Sequence, residues 1–164
     1  MINEHYDIVI MGATGFTGKL VVEYLVENYG IENKEFSWAI AGRSGKKLQE
    51  LKNSLEKIDI NSKNIPVFIA DSNDIKTLNN MTSKCNLVIS TVGPYLKFGH
   101  LLVESCANNG THYCDLTGEV PFIKESIDRF DKIAKKNNCK IIHSCGFDSI
   151  PSDIGVLLLQ NESI

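Results

Sequence analysis

The sequence has no CxxC pair, no strong excess of one charge, and no apolar run near the roughly 20 residues that span a bilayer. Each absence closes off a class. The five cysteines, Cys85, Cys106, Cys114, Cys139 and Cys145, are odd in number and scattered. They outline neither a disulfide scaffold nor zinc knuckles. No basic-then-apolar leader opens the chain, so reduced thiols in a cytoplasmic setting are the expectation. A net charge of −3 points away from nucleic acid or an anionic membrane as the main partner. Prolines number only four, and no low-complexity tract, repeat or long linker occurs. With 43% hydrophobic and 23% charged residues, the 164 residues read as one globular domain.

What is present is a regular alternation. Apolar, β-branched runs predict strands over Tyr6–Met11, Phe36–Ala41, Pro66–Ala70, Asn86–Thr91, Thr111–Cys114 and Lys140–Ser144. Between and after them, amphipathic stretches predict helices over Phe16–Tyr29, Gly45–Lys57, Ile75–Ser83, Phe98–Asn108, Val120–Asn137 and Ser152–Gln160. The strands hardly alternate, as expected when helices cover both faces. The fold class is therefore α/β: a doubly wound Rossmann fold with a six-stranded parallel sheet in the order 3-2-1-4-5-6. The last helix carries Ile154, Val156, Leu157, Leu158 and Leu159, unusually apolar for a tail. It reads as a helix whose partner lies in another domain or subunit, or as one that packs on the sheet.

The first strand runs into Gly12-Ala13-Thr14-Gly15-Phe16-Thr17-Gly18 and then a helix. In that setting, GxxGxxG points to a dinucleotide site. Gly12 turns the chain off the strand, Gly15 admits a pyrophosphate, and Gly18 lets helix and strand pack closely. The helix N-terminus then attracts phosphate. The competing reading is a plain βα turn that binds nothing.

The second strand continues into Gly42-Arg43-Ser44, where an NAD site usually has Asp or Glu for the ribose 2′-hydroxyl. Arg43 suits a 2′-phosphate instead, with Ser44 adding a hydroxyl and Lys46 or Lys47 further charge. NADP is thus expected over NAD. Asp71, ending strand three, reads either as an adenine contact or as a turn residue before the next helix. Val92-Gly93-Pro94, after strand four, lies where the nicotinamide side should pass. Beyond strands five and six, Tyr113, Asp115, Glu119 and Asp148 are candidates to position or protonate a substrate. None is singled out as catalytic. His112-x-Cys114 and His143-x-Cys145 could face one another, but the spacing suits buried thiols and strand-end histidines better than a metal. No metal is expected.

Together these stretches resemble the saccharopine dehydrogenase-like oxidoreductases, a group that includes the trans-acting enoyl reductases. The likeness rests on Tyr6-Asp7-Ile8-Val9 leading into GATGFTG, on Ala41-Gly42-Arg43-Ser44 and on Val92-Gly93-Pro94-Tyr95. It continues through Gly110–Glu119 and Gly146–Asp153, and so covers nearly the whole chain. The resemblance implies an NADP-binding domain, here 1–164, joined to a substrate and dimerisation domain absent from these residues. Thr14, Gly15, Phe16 and Thr17 would touch the pyrophosphate, Arg43 and Ser44 the 2′-phosphate, and Val92, Gly93 and Pro94 the nicotinamide side. It further implies a small-molecule or lipid substrate, a homodimer in the full-length protein, and lipid-droplet or membrane association in animal relatives.

Three other classes compete. Epimerases and short-chain dehydrogenases share the glycine turn but need Tyr-x-x-x-Lys, and none of the five tyrosines has lysine four residues on. A semialdehyde-type dehydrogenase would need Cys145 as nucleophile, with no basic neighbour in sequence to activate it. A non-catalytic NADP-binding scaffold associated with lipid would keep the cofactor fold without turnover.

Overall fold

A computed structural model describes residues 5–163. Its centre is a six-stranded parallel sheet: β1 Tyr6–Met11, β2 Trp38–Gly42, β3 Val67–Ile69, β4 Cys85–Ser90, β5 His112–Asp115 and β6 Ile141–Ile142. The spatial order is β3-β2-β1-β4-β5-β6, as the sequence predicts. Val9 of β1 sits in register with Ala39 on one side and Val88 on the other. Central β2 has every residue buried, and its small Ala39, Ala41 and Gly42 let helices approach.

Two cores follow from the strand period of two. On one face Val9, Met11, Ala41, Val88 and Tyr113 pack under three helices, α3 Ile75–Thr82, α5 His100–Asn109 and α6 Val120–Lys136. On the other, Ile10, Trp38 and Ile40 pack under α1 Phe16–Asn28 and α2 Gly45–Leu55. In α1 the buried Val22, Leu25 and Val26 keep the helical spacing that faces the sheet.

Several boundaries differ from the sequence reading. The helix expected over Phe98–Asn108 is two pieces, α4 Tyr95–Phe98 and then α5. The first forms because the Glu119 carboxylate accepts from Tyr95 N at 2.7 Å and Leu96 N at 2.9 Å. Strand six ends at Ile142 rather than Ser144. Ser144 takes a positive φ of 60°, and its N–H turns to Asp115 Oδ1 at 3.2 Å. A 3₁₀ turn over Ile60–Asn64 falls in a stretch with no predicted element. The last helix, α7 Ile150–Glu162, buries none of its residues. Its Val156, Leu158 and Leu159 are exposed, so of the two readings it is not the one that packs on the sheet. No helix among the described residues is long and apolar enough to cross a membrane.

Candidate cofactor-binding site

Parallel strands bring their carboxyl ends to one edge, and the crossover between β1 and β4 opens a crevice there. A groove of about 250 Å³ lies along that edge. Gly12, Thr14 and Gly15 line it from the β1–α1 turn, Arg43 from the end of β2, and Asp71 from beyond β3. Val92 and Gly93, following β4, complete it. Residues spread over some eighty positions of sequence therefore meet in one groove.

Local geometry explains the glycine turn. Gly12 has φ +88°, and a Cβ there would lie 2.7 Å from Val92 Cγ2 and 2.8 Å from Thr91 Oγ1. At Gly18 a Cβ would fall 2.1 Å from the Gly12 carbonyl oxygen, so helix and turn touch backbone to backbone. Gly15 N donates to Gly12 O at 2.9 Å and closes the turn. No side chain caps α1, and its first turn holds no acid. The N–H groups of Phe16, Thr17 and Gly18 precede Lys19, whose N–H is the first to bond along the helix, to Gly15 O at 3.0 Å. They form the positive end of the helix dipole.

Phe16, Thr17, Gly18, Ser44 and Pro94 stand outside the groove lining. Phe16 is 85% exposed, so what it can offer a phosphate is its backbone N–H. Ser44 caps α2, with its hydroxyl accepting from Lys47 N at a long 3.4 Å. Pro94 follows a cis peptide bond and precedes α4.

The start of α2 breaks a local rule. Its first turn has no acid, while Arg43, Lys46 and Lys47 crowd the positive end of its dipole. Cations are disfavoured there by a few tenths of a kcal/mol up to about 1 kcal/mol each. Among the described residues only Lys46 of the three forms an ion pair, with Glu50 at 4.0 Å, and both are exposed. A cluster that costs stability locally fits an anion placed over it.

Asp71 forms the turn that one of its two readings expects. It lines the groove, and its Oδ1 accepts from Asn73 N at 2.9 Å to form the turn into α3. Asp74, not Asp71, caps α3. Thr91, read from the sequence only as the end of strand four, also lines the groove. Its hydroxyl donates toward Met11 O at 3.2 Å and Gly12 O at 3.3 Å, which ties β4 to the glycine turn. A threonine ending an apolar strand just before Val92-Gly93 was the available signal.

The acid and base candidates are mostly engaged elsewhere. Asp115 is buried and accepts from Tyr113 Oη at 2.8 Å, Thr117 N at 3.0 Å and Ser144 N. It also bonds His143 Nδ1 at 2.8 Å, and His143 Nε2 meets Ser126 Oγ at 2.9 Å. The order Ser126–His143–Asp115 imitates a nucleophile relay. Ser126, however, is buried in the middle of α6, where neighbouring N–H groups are already bonded and cannot form an oxyanion hole. The cluster instead rivets β5, β6 and α6 together. Burial, then the Asp115 carboxylate, holds the Tyr113 phenol well above its ordinary value. Glu119 caps α4, and Asp148 is exposed.

His112 Nδ1 accepts from Lys140 N at 3.0 Å, so this ring and that of His143 both have protein partners. No group of three or more His, Cys, Asp or Glu with metal-holding geometry occurs among the described residues. Burial and the nearby Asp115 carboxylate raise the Cys145 thiol, the opposite of what an activated nucleophile needs.

Known proteins resemble this chain in sequence or in fold. A trans-acting enoyl reductase of Mycobacterium bovis is 42% identical over 159 residues, covering 97% of this chain and 36% of that protein. A lipid droplet localized protein of Caenorhabditis elegans is 42% identical over 156 residues, covering 94% of this chain and 36% of that protein. The chain thus spans about a third of the length of these relatives. Saccharopine dehydrogenase (L-Glu forming) of Saccharomyces cerevisiae shares the fold with a TM-score of 0.71 at 17% identity, over 96% of this chain and 31% of that one. Triphenylmethane reductase of Citrobacter sp., solved with NADP(H), gives 0.57 at 17% identity, over 82% of this chain and 48% of that one. Residues 8–142, from within β1 to the end of β6, match the family model of the saccharopine dehydrogenase NADP-binding domain. With the glycine turn, the groove and that match in agreement, the chain belongs to the saccharopine dehydrogenase NADP-binding domain family.

Proposed function

We propose that this chain is the NADP(H)-holding part of an oxidoreductase that passes hydride between the nicotinamide and a small-molecule or lipid substrate. One observation carries the choice of NADP over NAD. Arg43, Lys46 and Lys47 gather at the positive end of α2, with no carboxylate ending β2. A 2′-phosphate there would gain from the dipole, the free N–H groups and the guanidinium fork together. In the same reading the pyrophosphate lies over Thr14–Thr17, the adenine beside Asp71, and the nicotinamide side against Val92, Gly93 and Pro94. The bound cofactor supplies the hydride. These residues bind and orient it.

A second domain, as the family resemblance implies, would contribute the substrate contacts and a dimer interface. The exposed apolar side of α7 supports such a neighbour. Enoyl reduction is the reaction the Mycobacterium relatives' name suggests. The Caenorhabditis elegans relative is named for lipid droplets rather than for a reaction, which keeps the lipid-associated scaffold as the alternative. The test is a fluorescence titration of this chain with NADPH and NADH. Tighter NADPH binding supports the reading, and equal or tighter NADH binding sinks it. In a longer protein that binds NADPH, failure to oxidise it across a panel of enoyl and imine substrates favours the scaffold.

A further inference from the structure

Two of the five thiols converge at the carboxyl edge of β5 and β6, away from the cofactor groove. Cys114 lies in β5 and is directly opposite Ile142 of β6 in the sheet register. Just beyond β6 the chain folds back. Cys145 N donates to Asp115 O at 2.7 Å, which anchors Cys145 beside the residue next to Cys114. The Cys145 sulfur then lies 3.6 Å from the carbonyl oxygen of Ile142, the cross-strand partner of Cys114. Both thiols are free. Cys145 is exposed and Cys114 partly so, whereas Cys85, Cys106 and Cys139 are buried. Two reachable thiols therefore stand on hydrogen-bonded neighbouring segments, the placement from which a disulfide can close.

We propose that Cys114 and Cys145 form a reversible disulfide, a modification site closed by a low-molecular-weight disulfide such as oxidised glutathione. The exposed Cys145 loses its proton and attacks one glutathione sulfur, which gives a mixed disulfide and releases one glutathione thiolate. Cys114 loses its proton and attacks the Cys145 sulfur, forming the ring and releasing the second glutathione thiolate. The two thiolates take up the two protons. The two protein thiols are oxidised and the oxidant's disulfide is reduced to two thiols. The ring ties the segment leading into α7 to β5. Burial, then the facing Cys145, pushes the Cys114 thiol up to about 12. Ring closure needs the Cys114 thiolate as nucleophile and therefore quickens as pH rises.

The experiment incubates the whole chain with oxidised glutathione at mildly alkaline pH, then alkylates it in denaturant and weighs it. Alkylatable thiols should fall from five to three, with a tryptic cross-link joining the Cys114 and Cys145 peptides and reversal by dithiothreitol. Cys114→Ser should stop at glutathione on Cys145, and Cys145→Ser should keep all its thiols. The peptide map of the unmodified chain decides the matter even where a variant folds poorly. A stable glutathione adduct on Cys145 with Cys114 still alkylated overturns the proposal. So does a Cys145-linked dimer.

Discussion

Replacing Arg43 with alanine removes the one guanidinium at the end of β2 and leaves Gly12–Gly18 untouched. A charge-assisted hydrogen bond contributes about 1.5–3 kcal/mol, and a guanidinium fork can place two on one phosphate. Arg43 is exposed, so solvent and salt weaken the pair, and the smaller end of that range is appropriate. Taking about 2 kcal/mol, NADPH should bind about 30-fold more weakly, since each 1.4 kcal/mol is about tenfold. NADH lacks the 2′-phosphate and should stay within about twofold, by the same arithmetic. Arg43→Lys should recover part of the loss, because lysine keeps the charge but not the fork. Salt gives an independent check. Raising ionic strength from about 0.1 M to 1 M shortens the screening length from about 10 to 3 Å, which should narrow the wild-type preference for NADPH. The assay is quenching of Trp38 or enhancement of NADPH fluorescence, with thermal melts to confirm folding. Unchanged NADPH affinity in Arg43→Ala, or a parallel loss of NADH binding, would refute the reasoning.

Two more outcomes follow from the turn and the buried carboxylate. Gly18→Ala drives a methyl against backbone atoms of Gly12 and Ala13 that no rotamer can relieve. It should cost about 3 kcal/mol, the upper end of overpacking, and lower the melting temperature by about 6–12 °C. A melt unchanged from wild type would mean the turn is not closely packed. Asp115→Ala strips the acceptor from Tyr113, His143, Thr117 and Ser144 at once. Breaking such a buried cluster should cost about 3–5 kcal/mol by calorimetry or urea melts. NADPH affinity of the folded fraction should barely change, because Asp115 does not line the groove. A stable Asp115→Ala protein that has lost cofactor binding would place Asp115 in the site after all.

Local chemistry was legible because its signals are short in range. The glycine spacing, the absent acid after β2 and the unalternated strands all lie within a few residues, and they carried the sheet order and the cofactor edge. Capping was less legible where the partner is distant. Nothing near Tyr95 announces a helix start, because its cap is Glu119, far along the chain. Strand six looked longer than it is because Asp115 draws His143 and Ser144 out of the sheet. The same distance effect separated the polar candidates. Tyr113, Asp115, Glu119 and Asp148 look alike as residue types. The structure buries Tyr113 and Asp115 and bonds them to each other, turns Glu119 to the start of α4, and leaves Asp148 in solvent.

By itself, then, the sequence determined a doubly wound sheet with a phosphate-ready turn and cations after β2, since periodicity and turn chemistry act between near neighbours. Only the tertiary structure decided which residues share the groove, which carboxylates are hydrogen-bonded within the fold, and that Cys114 and Cys145 stand on neighbouring segments. Those depend on contacts between segments that parallel crossovers bring together from far apart in the chain.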